Sequence, residues 1–532
     1  MSERFKDYRI GLQWAVVRAQ AYWLPGLVLR WICRVGTRRV GRLLMRLSGV
    51  MAVYVRHTHP RSPSFVPGHS DLDLTVILSD QAAESPAKLE AVARFLERRR
   101  LFYYYLSPDD ARITTPGELA RMTGKWPPVE ILVGPEDWTL LAGEDVRVSK
   151  SKHLPPAQLP WHPEFNRWWA HILQDYLLLS MPGRENQYHR VFYRGAIKQT
   201  AYFMVAQGLN PPRAESFTDR SLAKWVLDKH PGLQTPLEGL EKRGFWDGGQ
   251  QNLRERIFHE VLRNTESFYT GLPGNSQAVE KIDSTLAPDK LHAGAYDALA
   301  SRFETLPDLK SRLACIFVYP TPYCHPYFYQ ADLLLPEDIS IAELSALTNI
   351  IRQEFKGREF ESNGHHFAIT LVPDNVYQAP LVFRGSPFPF LADHVRRYGR
   401  VLFGSAPVAV EAGGRQELID WCRIFLPYFT SNLNRRVEYS SRTLNFCHIA
   451  AVRLFLESGD IVTDSPALRA RHEKVFEQES PPAKIWDYLL RDKPGRDDHG
   501  LYLDATAHLK SELDRVEQLL EDQESQSPSK PG

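Results

Sequence analysis

Two aspartates stand one residue apart in VPGHSDLDLTVIL (66–78), where a Pro-Gly turn delivers an apolar run. Successive side chains of a strand alternate faces, so Asp71 and Asp73 would point the same way, roughly 7 Å apart at ~3.3 Å per residue. Two carboxylates so placed suit one or two hard divalent cations bound through oxygen. Leu72, Leu74, Val76 and Leu78 then fill the opposite face as core. A lone D-x-D is also common at exposed strand starts, so the surroundings decide what it means.

Upstream, GVMAVYVRHT (49–58) reads as a strand rich in β-branched and aromatic residues that ends in a polar loop. Downstream come a helix near AKLEAVARFLERRRLF (87–102) and a further strand, SPDDARITTP (107–116), entered through aspartates. Arg190, Arg194 and Lys198 are spaced by four, so on a helix they line one face. His57, His59 and His69 read as ordinary loop histidines rather than a zinc cluster.

The order strand, loop, D-x-D strand, helix, aspartate-headed strand resembles the nucleotidyltransferase fold, in particular the small bacterial transferases that modify aminoglycosides and related small molecules. The resemblance implies that Asp71 and Asp73 are the metal-binding pair, with Mg²⁺ or Mn²⁺ as cofactor and an NTP as donor. It assigns the third carboxylate to Asp110, at the head of ARITTPGEL, with Asp109 and Glu130 as substitutes. Ser70, just ahead of the pair, and Thr58 would serve the triphosphate, and Arg190, Arg194 and Lys198 would neutralise it. His57-Thr58 stands where that family has Gly-Ser: Thr58 keeps a hydroxyl, whereas His57 replaces a residue that lets the backbone approach closely.

The elements that would position these residues follow one plan twice. A basic amphipathic arm (1–48) precedes a strand-rich section (49–147) and a helical one (162–270), closed by the break GLPGNSQ (271–277). A second strand-rich section (286–405) and a second helical one (415–490) follow, then a helix and polar tail (500–532). Overlaying the halves sets DLDLTVIL on QADLLLPED (330–338) and ARITTPGEL on AITLVPDNV (368–376). Asp71 then faces Gln330, Asp73 faces Asp332 and Asp110 faces Phe367, while Arg190, Arg194 and Lys198 fall near Arg442, Phe446 and Ala450. The expected fold class is α+β: a nucleotidyltransferase-like mixed sheet with helices, then an all-α module, the pair repeated in tandem with a degenerate second copy.

A net charge of +1 argues against a global grip on nucleic acid, and 43% hydrophobic with 24% charged residues fits a multidomain globular chain. Five scattered cysteines without C-x-x-C spacing point to reduced thiols and a cytoplasmic setting. Residues 1–50 carry ten Lys/Arg against Glu3 and Asp7, with Trp14, Trp23 and Trp31 interleaved. Such an arm suits contact with an anionic membrane surface; the blander reading packs it on the next domain with its arginines in water. It lacks the apolar core and cleavage site of a signal peptide. The expected function is a Mg-dependent nucleotidyltransferase moving a nucleoside monophosphate to a hydroxyl of a small-molecule acceptor. The alternative is an inactive nucleotidyltransferase-like protein that binds nucleotide or a partner.

Overall fold

The computed structural model describes residues 15–16, 19, 22–56, 59–61, 65, 67–68, 70, 72–99, 111–117, 119, 138–146, 174, 177–178, 185–207, 209–212, 220–242, 251–270, 281–282, 291–323, 327–374, 390–407, 415–416, 418–419, 422, 439–490 and 499–526. It is a mixed α+β structure with two small mixed sheets and two helical bundles.

Helix α1 (Trp23–Leu44) leads into a sheet of β1 (Val50–Val55), β2 (Leu74–Leu78), β3 (Arg112–Thr114) and β4 (Thr139–Gly143), ordered β3-β2-β1-β4. β1 lies antiparallel to β2 and β4, and β2 lies parallel to β3. A parallel pair needs a crossover, and the turn α2 (Asp80–Ala83) with α3 (Pro86–Arg99) supplies it. Ser79 starts that crossover, its hydroxyl accepting from the Ala82 N–H (3.2 Å). One sheet face packs Val53, Val55, Leu74 and Val76 against Cys33, Val40 and Leu44 of α1 and Leu89, Val92 and Leu96 of α3. The other face holds Ala52, Tyr54 and Ile77 with Leu119 and Trp138.

The first bundle comprises α4 (Glu185–Ala206), α5 (Arg220–Lys229), α6 (Gln234–Lys242) and α7 (Gln251–Thr270). After β5 (Lys281–Ile282) come α8 (Ala293–Glu304), α9 (Pro307–Lys310), β6 (Cys315–Pro320), β7 (Phe328–Leu335) and α10 (Ile341–Phe355). The sheet is completed by β8 (Glu359–Ser362), β9 (His365–Pro373) and, beyond α11 (Leu391–Tyr398), β10 (Arg400–Gly404). Its order is β10-β6-β7-β9-β8, with β6 antiparallel to β7 and β10, and β7 parallel to β9. The strands β9-β7-β6-β10 thus run in the same order and relative directions as β3-β2-β1-β4. The hairpin strand β8 has no counterpart in the first sheet among the described residues.

The two sheets share a backbone irregularity that sets their registers against each other. Gly143 pairs with Ala52 and Gly404 with Cys315, after ladders that skip Leu141 and Leu402 respectively. Both glycines have positive φ (+93° and +73°), and a Cβ there would lie 2.1 Å from the Met51 or the Ala314 carbonyl oxygen. Since Ala52 also pairs with Ile77 and Cys315 with Leu334, Asp73 occupies the place of Gln330, and Thr75 that of Asp332. Arg112 and Thr370 match in the same way, through Thr75 and Asp332. The sequence overlay is therefore displaced by two residues at Asp73 and by one at Arg112, which it had set against Ile369.

A second bundle follows β11 (Ala406–Pro407): α12 (Tyr439–Ser458), α13 (Ser465–Phe476), α14 (Ala483–Leu489) and α15 (His499–Gln526). Its core includes Phe446, Ala450, Trp486 and Leu509. Each bundle reaches the other sheet. α7 packs on α10 and β9, with His259 Nε2 2.9 Å from the Ile339 carbonyl and Thr348 Oγ1 donating to Glu255 (3.1 Å). Gln174 holds the Leu371 backbone through both of its amide atoms, each at 2.8 Å. At the other end, α15 packs on α12 and on α3 of the first sheet. Among the described residues no helix is long and apolar enough to cross a membrane.

Candidate functional site

The D-x-D segment enters the first sheet at Leu74, so the ladder begins one residue after the second aspartate. Asp73 is half-buried, and its carbonyl accepts from the Arg56 N–H (2.8 Å), which aligns it with the residue following β1. Strand alternation puts Asp73, Thr75 and Ile77 on the face of Tyr54 and Trp138, away from α1 and α3. Leu72, Leu74, Val76 and Leu78 fill the opposite face, as the apolar alternation predicts. Gly68, at φ +84°, makes the turn before the segment, and Ser70 beyond it is buried.

The face around Asp73 is polar and basic. Arg56 and Arg112 are both buried, at 4% and 7% exposure. Arg112 pairs with Thr75 in the parallel ladder, which sets it on the aspartate face. The Thr75 hydroxyl behind Asp73 is buried and has no hydrogen-bond partner. Tyr54 closes one side: its hydroxyl accepts from the Val146 N–H (2.7 Å) and donates to the Asp145 carboxylate (3.1 Å), and its ring lies 6.1 Å from that of Trp138. Sequence reasoning passed over Tyr54, Arg56 and Arg112. The usable signal was an arginine ending the apolar strand MAVYV and another opening ITT.

Of the predicted site residues, Asp73, Ser70 and Lys198 have described side chains. Asp71, Asp110 and Thr58 lie outside the described residues, as do His57, Asp109 and Glu130. Arg190 and Arg194 are placed as positions on α4 only. Lys198 is buried in α4, beside Ala196 and Ile197, in a core that continues into Ile316, Val318 and Leu371 of the second sheet. Among the described residues no group of three His, Cys, Asp or Glu side chains could hold a metal ion. His59 accepts the Arg61 N–H on Nδ1 (3.0 Å); burial, then the Arg34 charge, lowers its pKa to about 4, so it is neutral at pH 7.

At the matching place in the second sheet the chemistry is closed on itself. Gln330 donates to Asp332 (3.1 Å) and to Thr370. Phe317, in the place of Tyr54, packs within 5.8 Å of Tyr319. Burial, with Asp374 and Asp332 nearby, pushes the Cys315 thiol up to about 12, which leaves it inert as a nucleophile. No family model, curated protein or solved structure matches this chain.

Proposed function

We propose that the chain is a Mg²⁺-dependent nucleotidyltransferase whose first α/β module is catalytic and whose second is a degenerate tandem copy. The observation that carries this reading is Asp73: a carboxylate at the entry of β2, on the sheet face away from α1 and α3, which the buried Arg56 and Arg112 share. The shared strand order, the paired glycines and the matching skipped residues support the tandem reading. The third carboxylate is assigned to Asp110 because it precedes by two residues in sequence the strand β3, which lies parallel to and beside β2.

An all-oxygen donor set of Asp71, Asp73 and Asp110 fits a hard cation such as Mg²⁺ or Mn²⁺. Bound there, the metal would draw charge from the triphosphate and acidify the acceptor hydroxyl. Asp110 would take the proton from that hydroxyl as it attacks the α-phosphorus of the NTP, with pyrophosphate leaving. Ser70 and Thr58 would donate hydrogen bonds to phosphate oxygens, and Arg190 and Arg194 would neutralise the leaving pyrophosphate; Lys198, buried in α4, is left out of that role. His57-Thr58 in place of Gly-Ser favours a second reading, nucleotide binding without transfer.

Two measurements separate these readings. Calorimetric titration with a non-hydrolysable ATP analogue should show binding that needs Mn²⁺ and is lost in Asp73→Asn. Pyrophosphate release with a panel of hydroxylated small molecules should fall about 10²–10³-fold in the same variant, the loss expected when one transition-state stabilising group goes. Binding that persists in Asp73→Asn would overturn the site. Metal-dependent binding without release for any NTP would select the second reading.

A further inference from the structure

We infer that α1 docks the protein on an anionic lipid bilayer, its outer face lying in the headgroup region. Two sides of this helix do different work. Cys33, Gly36, Thr37, Val40, Gly41 and Leu44 are buried, and a Cβ on Gly41 would sit 3.1 Å from the Leu141 Cβ, so this side lies against β4. At 100° per residue, Trp23, Leu24, Leu27, Val28, Trp31 and Ile32 fall on the opposite side. All six are exposed, Trp23 at 80% and Trp31 at 63%. Among the described residues, large exposed apolar side chains outside Tyr22 and this helix are confined to Leu209 and Leu291. An apolar concentration of this kind on one helix marks an interaction surface.

Charge selects the occupant. The same outer face continues past Val35 as Arg38, Arg39, Arg42 and Arg46, all exposed. Between Asp7 and Asp71 the sequence carries ten arginines and no acidic residue. An apolar, tryptophan-bearing half followed by a cationic half is the pattern of a helix in the plane of an anionic interface: indoles at headgroup depth, guanidiniums on lipid phosphates. The apolar half spans about 18 Å at 1.5 Å per residue, too short to cross a bilayer and long enough to lie on one. A second copy of this chain fits less well, because these helices hold no acid to meet each other's arginines. The helix is also tied to the body beyond its own packing, since Arg34 Nε donates to the Pro60 carbonyl (3.2 Å) in the loop after β1.

The test is flotation of the full chain with vesicles of phosphatidylcholine alone and of phosphatidylcholine with 30% phosphatidylserine. Wild type should float with the anionic vesicles, and about tenfold less with neutral ones or at 0.5 M salt. Trp23→Ser with Trp31→Ser, at positions that contribute nothing to the core, should lower partition at least about tenfold while circular dichroism and unfolding midpoint stay unchanged. Arg38→Gln with Arg42→Gln should remove the preference for anionic lipid. Absence of flotation, or equal flotation of the tryptophan variant, would overturn the inference. So would a dimer in light scattering that the tryptophan variant dissolves, since a second copy would then be what covers the face.

Discussion

Opposite the same glycine-marked bulge, the first sheet presents Asp73, Thr75 and Arg112, and the second presents Gln330, Asp332 and Thr370. In the second set the side chains satisfy one another: Gln330 bridges Asp332 and Thr370, and Asp332 is fully buried. In the first, Asp73 is half-exposed and the Thr75 hydroxyl behind it has no hydrogen-bond partner. A buried polar group without a partner costs stability. The two sheets therefore share what the backbone requires, a left-handed glycine and a skipped residue, and differ where side chains face the open side of the sheet. Scaffold and chemistry vary independently here, as expected when a site is carried on a fold rather than specified by it.

The strongest way to break this equivalence is at the glycines. Gly143→Ala and Gly404→Ala should each destabilise the protein by about 3–4 kcal/mol, from left-handed strain plus collision with a carbonyl oxygen, read as a shift in the urea midpoint. If one substitution is silent, the two bulges are not the same device.

Next in size is acid sensitivity in the second half. His394 is buried between the Pro320 carbonyl (2.7 Å) and the Thr463 hydroxyl (2.8 Å), and burial lowers its pKa to about 4. With the folded pKa below the unfolded 6.5, the neutral form is what folding favours. Its contribution is complete above pH 6.5 and is lost as pH falls towards 4, on the order of 3 kcal/mol in all. Urea titrations from pH 7 to pH 4 should show this slope, and His394→Gln should flatten it. His59→Gln in the first half should flatten it less, since His59 is only part-buried.

The smallest effect sharpens the comparison most. Gln330→Ala should cost about 1–2 kcal/mol, because Asp332 loses a buried donor, yet leave any nucleotide transfer within about twofold. A large loss of transfer in Gln330→Ala would place the second sheet in the chemistry.

The apolar face of the D-x-D segment was legible in the sequence, because Leu72 to Leu78 alternate and have no other face to occupy. The overlay of the two halves slipped by two residues at this strand for a physical reason. A two-residue shift leaves a period-two pattern unchanged, so only hydrogen-bond pairing distinguishes the registers. Residues 107–116 read as one strand; among the described residues β3 covers Arg112–Thr114 and stops ahead of Pro116, which has no N–H to give to a ladder. β8 lies in the section read as strand-rich but drew no reading of its own, because EFES alternates over four residues around the single apolar Phe360; its place is set by pairing with β9. The basic amphipathic character of residues 1–48 was legible, and α1 packs on the first sheet with Arg38, Arg39 and Arg42 exposed. Which of its apolar residues are covered was not, since they recur around the whole helix and the position of β4 decides. Arg56 and Arg112 were passed over because arginines at strand ends ordinarily face water, and here they are buried.

The crossed packing of the bundles, α7 on α10 and α15 on α3, changes what a domain boundary means in this chain. Each bundle follows its own sheet in sequence, yet α7 covers the second sheet and α15 packs on α3 of the first. A cut between Thr270 and Leu291 would therefore release no independent halves. It would leave two fragments with complementary apolar surfaces, related as subunits of a heterodimer. The intact chain holds those surfaces at the high effective concentration that a covalent tether provides. Its connecting segment is thus less a spacer between modules than the bond that makes one folded body of two.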